Sequence, residues 1–260
     1  MTIRMQVEEN VACIEIARPE RKNAITAEMY GQLAEAFTAA ASDDAVRAVV
    51  LRGAPTVFCA GNDVHDFLQR PHSAGGAAPR FMKALADMEK PVIAAVNGAA
   101  VGIGTTLLMH CDLVYAADDA MFSMPFVSLG ICPEFGSSLL VPLAAGYHKA
   151  AEKLLYGEPI SAEEALEMGL VNRLLPPAEV VEYAMHQAQR FRALPPGAVC
   201  ETKRLLKSGW RAAVELAMDE EFRTFRRLLD SPESREALNA FLERRKPDFA
   251  RAAQSATKTS

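Results

Sequence analysis

Short apolar blocks alternate with amphipathic stretches along most of the chain. The blocks are rich in β-branched residues and bounded by glycine, proline or polar residues, which is typical of strands. The predicted strands are 11–17, 46–52, the first half of 53–64, 92–96, 112–116 and 170–175. Helical periodicity separates them, so the pattern predicts an α/β core of stacked elements with parallel strand pairing.

The strand pattern stops near residue 176, and four amphipathic helices follow, at 178–194, 197–208, 212–230 and 232–245. Earlier helices are predicted after Thr26, a good N-cap, at 81–88 and 137–143, and after the capping box that Ser161 and Glu164 form. The change of pattern near Pro195 predicts a core at 1–195 and a helical C-terminal region at 196–260. Residues 70–80, with prolines and glycines, predict a flexible loop that serves as a lid.

The stretch 91–110 is the centre of the predicted core, because the buried strand 92–96 leads through a glycine-rich turn into a helical pattern. Glycines at 98, 102 and 104 allow a tight turn and a close backbone approach. A helix that begins at such a turn presents free N–H groups to an anion, or to an oxygen that becomes one during a reaction. Three alternative interpretations are a membrane span, a dinucleotide-binding turn, and glycines that serve packing alone. Asn97 and the threonines disfavour a membrane span. A dinucleotide-binding turn is disfavoured because Leu107 stands where its G-x-G-x-x-G motif has the third glycine.

Composition excludes several function classes. Half of the 260 residues are apolar, 23% are charged, and the net charge of −5 favours neither nucleic acid nor an anionic membrane as partner. The five cysteines are scattered without a C-x-x-C pair, which favours a reduced, intracellular protein over a disulfide framework or a zinc site. With no leader pattern before the first strand, we expect a cytoplasmic protein without a metal.

Four segments, in this order and spacing, resemble the crotonase (enoyl-CoA hydratase/isomerase) superfamily over nearly the whole chain. They are 18–25 (RPERKNAI), 58–64 (FCAGNDV), 95–104 (AVNGAAVGIG) and 161–171 (SAEEALEMGLV). The resemblance implies a crotonase spiral of ββα units with a helical C-terminal oligomerisation region, which builds homotrimers or dimers of trimers. It also implies an acyl-coenzyme A thioester as substrate, with no separate cofactor.

The resemblance assigns roles to individual residues. The main-chain N–H groups of Asn62 and Ile103 form the oxyanion hole that stabilises a thioester enolate. The backbone near Ala24, Ala60 and Asn62 matches contacts to the coenzyme A. Two further positions, Phe241 and Arg244, match those through which a neighbouring subunit touches the coenzyme A phosphate.

The acid/base residues distinguish the reactions within this superfamily. Hydratases that the chain resembles use two glutamates to activate water, and their positions here hold Thr106 and Phe126, neither of which is a general base near neutral pH. A single glutamate, Glu134 in the segment 130–138 (GICPEFGSS), matches the base of the delta-3, delta-2-enoyl-CoA isomerases. Its apolar neighbours are expected to raise the carboxyl pKa and make it a better base.

The resemblance therefore implies an isomerase that shifts a 3-enoyl-CoA double bond to the 2-enoyl position, in fatty-acid or related acyl-CoA degradation. Two alternatives remain open from the sequence. One is an enoyl-CoA hydratase or another crotonase-type enzyme, and the other is a non-catalytic acyl-CoA-binding scaffold.

Overall fold

The computed structural model describes residues 2–69, 75–250 and 252, and it forms two sheets surrounded by helices. The larger sheet has six strands in the order β1-β2-β3-β5-β7-β10, and the smaller has four in the order β4-β6-β8-β9. The strands are β1 Ile3–Glu8, β2 Val11–Ile16, β3 Ala48–Arg52, β4 Val57–Cys59, β5 Val92–Val96, β6 Ala99–Val101, β7 Leu113–Ala117, β8 Met121–Ser123, β9 Ile160–Ser161 and β10 Arg173–Leu175. The helices are α1 Ala27–Ser42, α2 Val64–Gln69, α3 Ala77–Ala86, α4 Ile103–Thr106, α5 Ser137–Ala145, α6 Tyr147–Tyr156, α7 Ala162–Glu167, α8 Val180–Gln189, α9 Pro196–Ser208, α10 Arg211–Leu229 and α11 Pro232–Leu242.

The predicted α/β class and parallel pairing are confirmed. In the larger sheet, β2, β3, β5, β7 and β10 pair in parallel, and only β1 runs antiparallel to its neighbour. All five residues of β5 are buried, so both faces of this central parallel strand are covered. The continuous apolar run of the sequence is the direct result of that double burial.

The predicted helix caps are also present. The Thr26 hydroxyl accepts a hydrogen bond from the Met29 N–H at 3.3 Å, and α1 begins at the next residue. Ser161 and Glu164 form both bonds of the capping box at the start of α7. Each cap supplies an acceptor to N–H groups that the helix itself leaves without one.

Four predictions need correction. The sequence interpretation missed β1, although its apolar residues alternate with polar ones as in a half-buried strand, and it missed α6 entirely. The central unit contains a further short strand, β6, between the turn at Gly98 and the four-residue α4. Of the predicted lid, residues 70–74 lie outside the described residues, whereas 77–80 belong to α3 and are helical rather than a loop.

The smaller sheet determines where the functional residues lie. Its strands β4, β6 and β8 are parallel neighbours, so their carboxyl ends lie at one edge. The segments that follow these three strands hold Asn62, Ile103 and Glu134, respectively. Three segments that are far apart in sequence therefore reach one place.

Helices make up most of the described chain from residue 196 onward. Helix α10 packs on α5 and lines a cavity of about 400 Å³ that residues of the core also line, so this region contributes to the same site as the core. The division at 195/196 stays a prediction. Within the described ranges, no helix is long and apolar enough to cross a membrane.

Candidate active site

The turns after β4 and β6 touch each other, and two glycines make this possible. A Cβ atom at Gly104 would lie 2.6 Å from the Cys59 carbonyl oxygen, and one at Gly61 would lie 3.0 Å from the Val101 carbonyl oxygen. Any larger residue at 104 would push the turns apart, since real Cβ atoms do not approach backbone that closely. The predicted close backbone approach is confirmed for Gly104 and for Gly98, where a Cβ would lie 2.1 Å from the Thr56 carbonyl oxygen. At Gly102 a Cβ would meet nothing within 4 Å, and this glycine instead adopts a positive φ of 54°.

Two main-chain N–H groups in these turns have no acceptor among the residues that the structure describes. Asn62 is bridged in parallel to Ile25, and the bridge uses the Gly61 carbonyl (2.8 Å) and the Asp63 N–H (2.9 Å). The N–H of Asn62 itself therefore points away from Ile25. The N–H of Ile103, the first residue of α4, has no intrahelical acceptor, and no other acceptor for it is present among the described residues.

The backbone of the segment 22–25 lies beside these donors. The Ala60 N–H donates to the Lys22 carbonyl at 3.1 Å, and the Arg18 guanidinium donates to the Ala24 carbonyl at 2.9 Å. The structure thus brings together Ala24, Ala60 and Asn62, which the sequence interpretation placed at one coenzyme A site. Their contact with coenzyme A stays a prediction.

A cavity of about 400 Å³ opens beside this loop. Most of its lining is apolar or aromatic and comes from α1, α2, α3 and α10, and both Asn62 and Glu134 reach it. Ile103 is buried in the core and is not among the residues that line this cavity. The role that the resemblance gives to its main-chain N–H stays a prediction. A cavity of this size and character can hold an apolar acyl group with a few polar contacts.

Glu134 is half-buried in the cavity wall. The Thr106 hydroxyl donates to its Oε1 at 3.0 Å, and no group in the described chain donates to Oε2. Burial is the main cause that raises the pKa of Glu134 to about 8; the hydrogen bond from Thr106 opposes this rise, and the negative charge of Glu221 adds to it. The result is a carboxylate that binds a proton readily and has one oxygen free to receive it.

A strained turn follows Glu134 and fixes its position. Phe135 has φ 60° and Gly136 has φ 73°, and the Ser137 N–H closes the turn on the Glu134 carbonyl at 3.2 Å. A left-handed phenylalanine costs on the order of 1–2 kcal/mol, so the surroundings must hold it. Such backbone strain beside a cavity is typical of functional sites.

His110 is one of the groups that hold the turn. Its ring stacks on Phe135 with centroids 3.8 Å apart, and its Nε2 lies 2.8 Å from the Phe135 carbonyl oxygen. A carbonyl can only accept, so Nε2 carries the hydrogen. Burial lowers the pKa of His110 to about 4, which keeps the ring neutral in this role.

The sequence interpretation missed Tyr30 and Glu221. The Tyr30 hydroxyl donates to Asn62 Oδ1 at 2.6 Å, and burial raises its pKa well above the ordinary value, so it stays protonated. The Glu221 carboxylate, on α10, accepts hydrogen bonds from the main-chain N–H groups of Gly136 and Ser138 in the turn after Glu134. Tyr30 was visible only as an apolar-face residue of α1, and Glu221 is one of many acidic residues on an amphipathic helix, so neither pattern singled them out.

Thr106 and Phe126 occupy the positions where the sequence resemblance places the two glutamates of a hydratase. Thr106 is fully buried against the Glu134 carboxyl, and Phe126 is buried in the core. A carboxylate at 106 would lie directly beside Glu134, where like charges strongly disfavour each other. The residues present fit a site with a single base.

Phe241 and Arg244 lie away from the cavity. Both are exposed at the end of α11, and neither lines the pocket of its own chain. Their role at a neighbouring subunit's coenzyme A stays a prediction.

In the described ranges, no group of three or more histidine, cysteine, aspartate or glutamate side chains is arranged to hold a metal ion.

The model of the protein family described as Enoyl-CoA hydratase/isomerase matches residues 6–252 of this chain. The chain belongs to this family. It is 35% identical to 1,2-epoxyphenylacetyl-CoA isomerase of Escherichia coli K12 over 94% of this chain and 96% of the relative. It is also 35% identical to enoyl-CoA delta isomerase 2 of Rattus norvegicus, over 92% of this chain and 62% of that one.

Solved structures of the family share the fold. The enoyl-CoA hydratase/isomerase from Pseudoalteromonas atlantica T6c superimposes with a TM-score of 0.91 at 38% identity, over 96% of this chain and 100% of that chain. The predicted crotonase fold is thereby confirmed. Relatives of comparable identity are named as hydratases as well as isomerases, so family membership alone does not choose the reaction.

The raised pKa of Glu134 predicts a stability effect that depends on pH. Because the folded state holds this proton up to about pH 8, whereas an unfolded glutamate releases it near its ordinary 4.5, the folded state loses stability as pH rises between these values. Glu134→Gln removes the titration and should raise the free energy of unfolding at pH 9 by on the order of a few kcal/mol, with little change at pH 4. Thermal denaturation at both pH values checks this, and equal midpoints for the two proteins at pH 9 would contradict it.

Proposed function

We propose that this protein is a delta-3, delta-2-enoyl-CoA isomerase, which moves the double bond of a 3-enoyl thioester into conjugation with the carbonyl. The observation that carries the proposal is Glu134, a carboxyl with a raised pKa that lines a mostly apolar cavity together with Asn62. Isomerisation needs one base and one oxyanion site, whereas hydration needs a second group to hold and activate water. Similarity to an enoyl-CoA delta isomerase also supports it.

The thioester oxygen is proposed to accept hydrogen bonds from the N–H groups of Asn62 and Ile103. Both groups lack a described acceptor and lie on turns that touch each other. The negative charge that develops on this oxygen is stabilised by donors that are already fixed, and by the N-terminal end of α4. These interactions strengthen as the carbonyl becomes an enolate.

Glu134 is proposed to move the proton. Its Oε2 takes a proton from the alpha carbon, and the electron pair of that C–H bond passes into a dienolate that extends to the thioester oxygen. The same carboxylic acid then gives the proton to the gamma carbon, and the double bond is left between the alpha and beta carbons. The Thr106 hydroxyl holds Oε1 throughout, so one oxygen serves both transfers.

The coenzyme A is proposed to lie along the 22–25 and 60–62 backbone, with no cofactor beyond the substrate itself. Phe241 and Arg244 are proposed to reach the phosphate groups of a neighbouring subunit's coenzyme A within a homotrimer or dimer of trimers. Their exposure at the end of α11 leaves them accessible for that contact.

One assay tests the reaction. The purified protein is incubated separately with a 3-enoyl-CoA and a 2-enoyl-CoA, and conjugated product and hydrated product are measured separately. We expect conjugated product from the first substrate and little hydration of the second. Hydration as fast as isomerisation would overturn the proposal, and binding without either reaction would indicate a scaffold.

The pKa of Glu134 predicts the pH dependence of this activity. The base must be ionised, so kcat/KM should rise about tenfold for each pH unit below the pKa of about 8 and then level off. Thr106→Val removes a hydrogen bond that lowers this pKa, so its profile should be displaced to higher pH. Initial rates from pH 6 to 9.5 check both; a profile that is flat over this range would contradict the assignment of the base.

A further inference from the structure

The turn that carries Glu134 has little support from its own segment. The Ser137 hydroxyl donates to the Glu134 carbonyl at 2.6 Å, but α5 begins after it without a local side-chain cap. Its first N–H groups and the two left-handed residues therefore need partners from elsewhere. His110 supplies one such partner, at the Phe135 carbonyl.

Glu221 of α10 supplies the others. Its Oε2 accepts from the Gly136 N–H at 2.6 Å and its Oε1 from the Ser138 N–H at 2.8 Å. The residue is only 6% exposed, and it lies 85 positions from Gly136 in sequence. A buried carboxylate that accepts from two main-chain donors holds both of them in fixed positions.

The same helix forms part of the cavity wall. Met218, Phe222 and Phe225 of α10 line the cavity, whereas Glu221 points to the turn and does not line it. Helix α10 therefore contacts both the space for the acyl group and the backbone of the base. A change at Glu221 acts on Glu134 without removing a contact to the substrate.

Several titratable groups face Glu134. They are Tyr30 of α1, Cys59 of β4, Cys132 of its own loop and Glu221 of α10, with His110 behind Phe135. Burial raises the pKa of Tyr30 well above its ordinary value, that of Cys59 to about 12 and that of Cys132 to about 11, so these groups are neutral at neutral pH. Burial also raises the pKa of Glu221, whereas its hydrogen bonds from Ser138 and Gly136 lower it. The negative charge of Glu221 in turn raises the pKa of Glu134.

We infer that Glu221 is a positioning residue: its carboxylate holds the turn at Phe135 and Gly136 from α10 and thereby fixes the Glu134 carboxyl at the cavity wall. The inference rests on the proposed role of Glu134 as the base. It adds a residue that touches neither substrate nor reacting atoms, and whose effect is on the geometry and the proton affinity of the base.

The test compares Glu221→Gln with Glu220→Gln, its neighbour on the exposed side of α10. Glutamine at 221 keeps the shape but loses the charge and one acceptor. We expect kcat for 3-enoyl-CoA isomerisation to fall about 10- to 100-fold, since a misplacement of about 1 Å can cost about 100-fold, while KM changes less than about threefold. Glu220→Gln should leave both constants unchanged.

A second measurement determines the pKa of the Glu134 carboxyl itself. The Glu134 carboxyl is titrated by ¹³C NMR, and its signal is identified as the one missing from the spectrum of Glu134→Gln. The pKa of Glu134 should be lower in Glu221→Gln than in the unmutated protein, because a neighbouring negative charge is lost. Glu221→Asp keeps the charge but shortens the reach, so it should lose kcat with a smaller change in that pKa. This milder variant serves if Glu221→Gln does not fold.

The outcomes distinguish the positioning role of Glu221 from the proposed role of Glu134 as the base. A Glu221→Gln protein with unchanged kcat, or with an unchanged Glu134 titration, overturns the positioning role even if the enzyme is an isomerase. If instead Glu134→Gln keeps the isomerisation rate, the proposed base is wrong. The titration still decides in that case whether Glu221 controls the Glu134 carboxyl.

Discussion

Glu134→Gln should lower the rate of 3-enoyl-CoA isomerisation by about 1,000- to 10,000-fold, the upper part of the range for a general base. Glutamine has nearly the same shape and still accepts a hydrogen bond from Thr106, but it cannot take the proton from the alpha carbon. Thr106 and Phe126 supply no second carboxylate, and the nearby Glu221 has both oxygens bonded to main-chain N–H groups. Single-turnover rates with a 3-enoyl-CoA measure the effect.

The matched control for this variant is Thr106→Val, which removes the hydrogen bond to Glu134 but no proton-transfer group. It should cost far less than Glu134→Gln at a pH where the base is ionised. Both variants should bind a saturated acyl-CoA almost normally, which calorimetry checks. A Glu134→Gln protein that keeps most of its rate would show that the base lies elsewhere.

Ile103→Pro should lower the same rate by about 100- to 1,000-fold, because it deletes one main-chain donor of the proposed oxyanion hole. Proline is suited to this position: Ile103 is the first residue of α4, where the helix leaves the N–H unbonded. The preceding residue is Gly102, which has no Cβ to clash with the proline ring. The helix should therefore remain while the donor is lost.

Ile103→Val is the control, since it keeps the N–H and loses part of the same buried side chain. It should destabilise the fold by about 1 kcal/mol and leave kcat nearly unchanged. Circular dichroism and thermal denaturation establish that both variants are folded. Equal kcat values for the proline and valine variants would remove Ile103 from the proposed oxyanion hole.

Much of this site could be predicted from sequence because its determinants are local. The buried strand β5, the Thr26 cap and the Ser161 capping box depend on neighbours within a few positions, so periodicity and cap chemistry reveal them. Resemblance located Asn62 and Glu134, and the structure places both at one cavity. The parallel order of β4, β6 and β8 explains why separate motifs meet there.

The remaining part could not be predicted because it depends on contacts between distant segments. Glu221 accepts a hydrogen bond from the N–H of Gly136, 85 residues away in sequence, and the Tyr30 hydroxyl donates one to Asn62, 32 residues away. On their own helices both residues fit an ordinary amphipathic pattern, so nothing local marks them. The left-handed conformation of Phe135 was equally hidden, since phenylalanine does not usually adopt it.

The touching turns at Gly61 and Gly104 have a consequence for how such an enzyme can diversify. The proposed enolate-stabilising groups belong to the peptide backbone, and their spacing is kept by glycines that a larger side chain cannot replace without moving the turns. The cavity wall, in contrast, consists of ordinary side chains on α3 and α10, such as Met82 and Phe222. Libraries restricted to these wall positions should yield altered acyl-chain selectivity with the reaction chemistry retained.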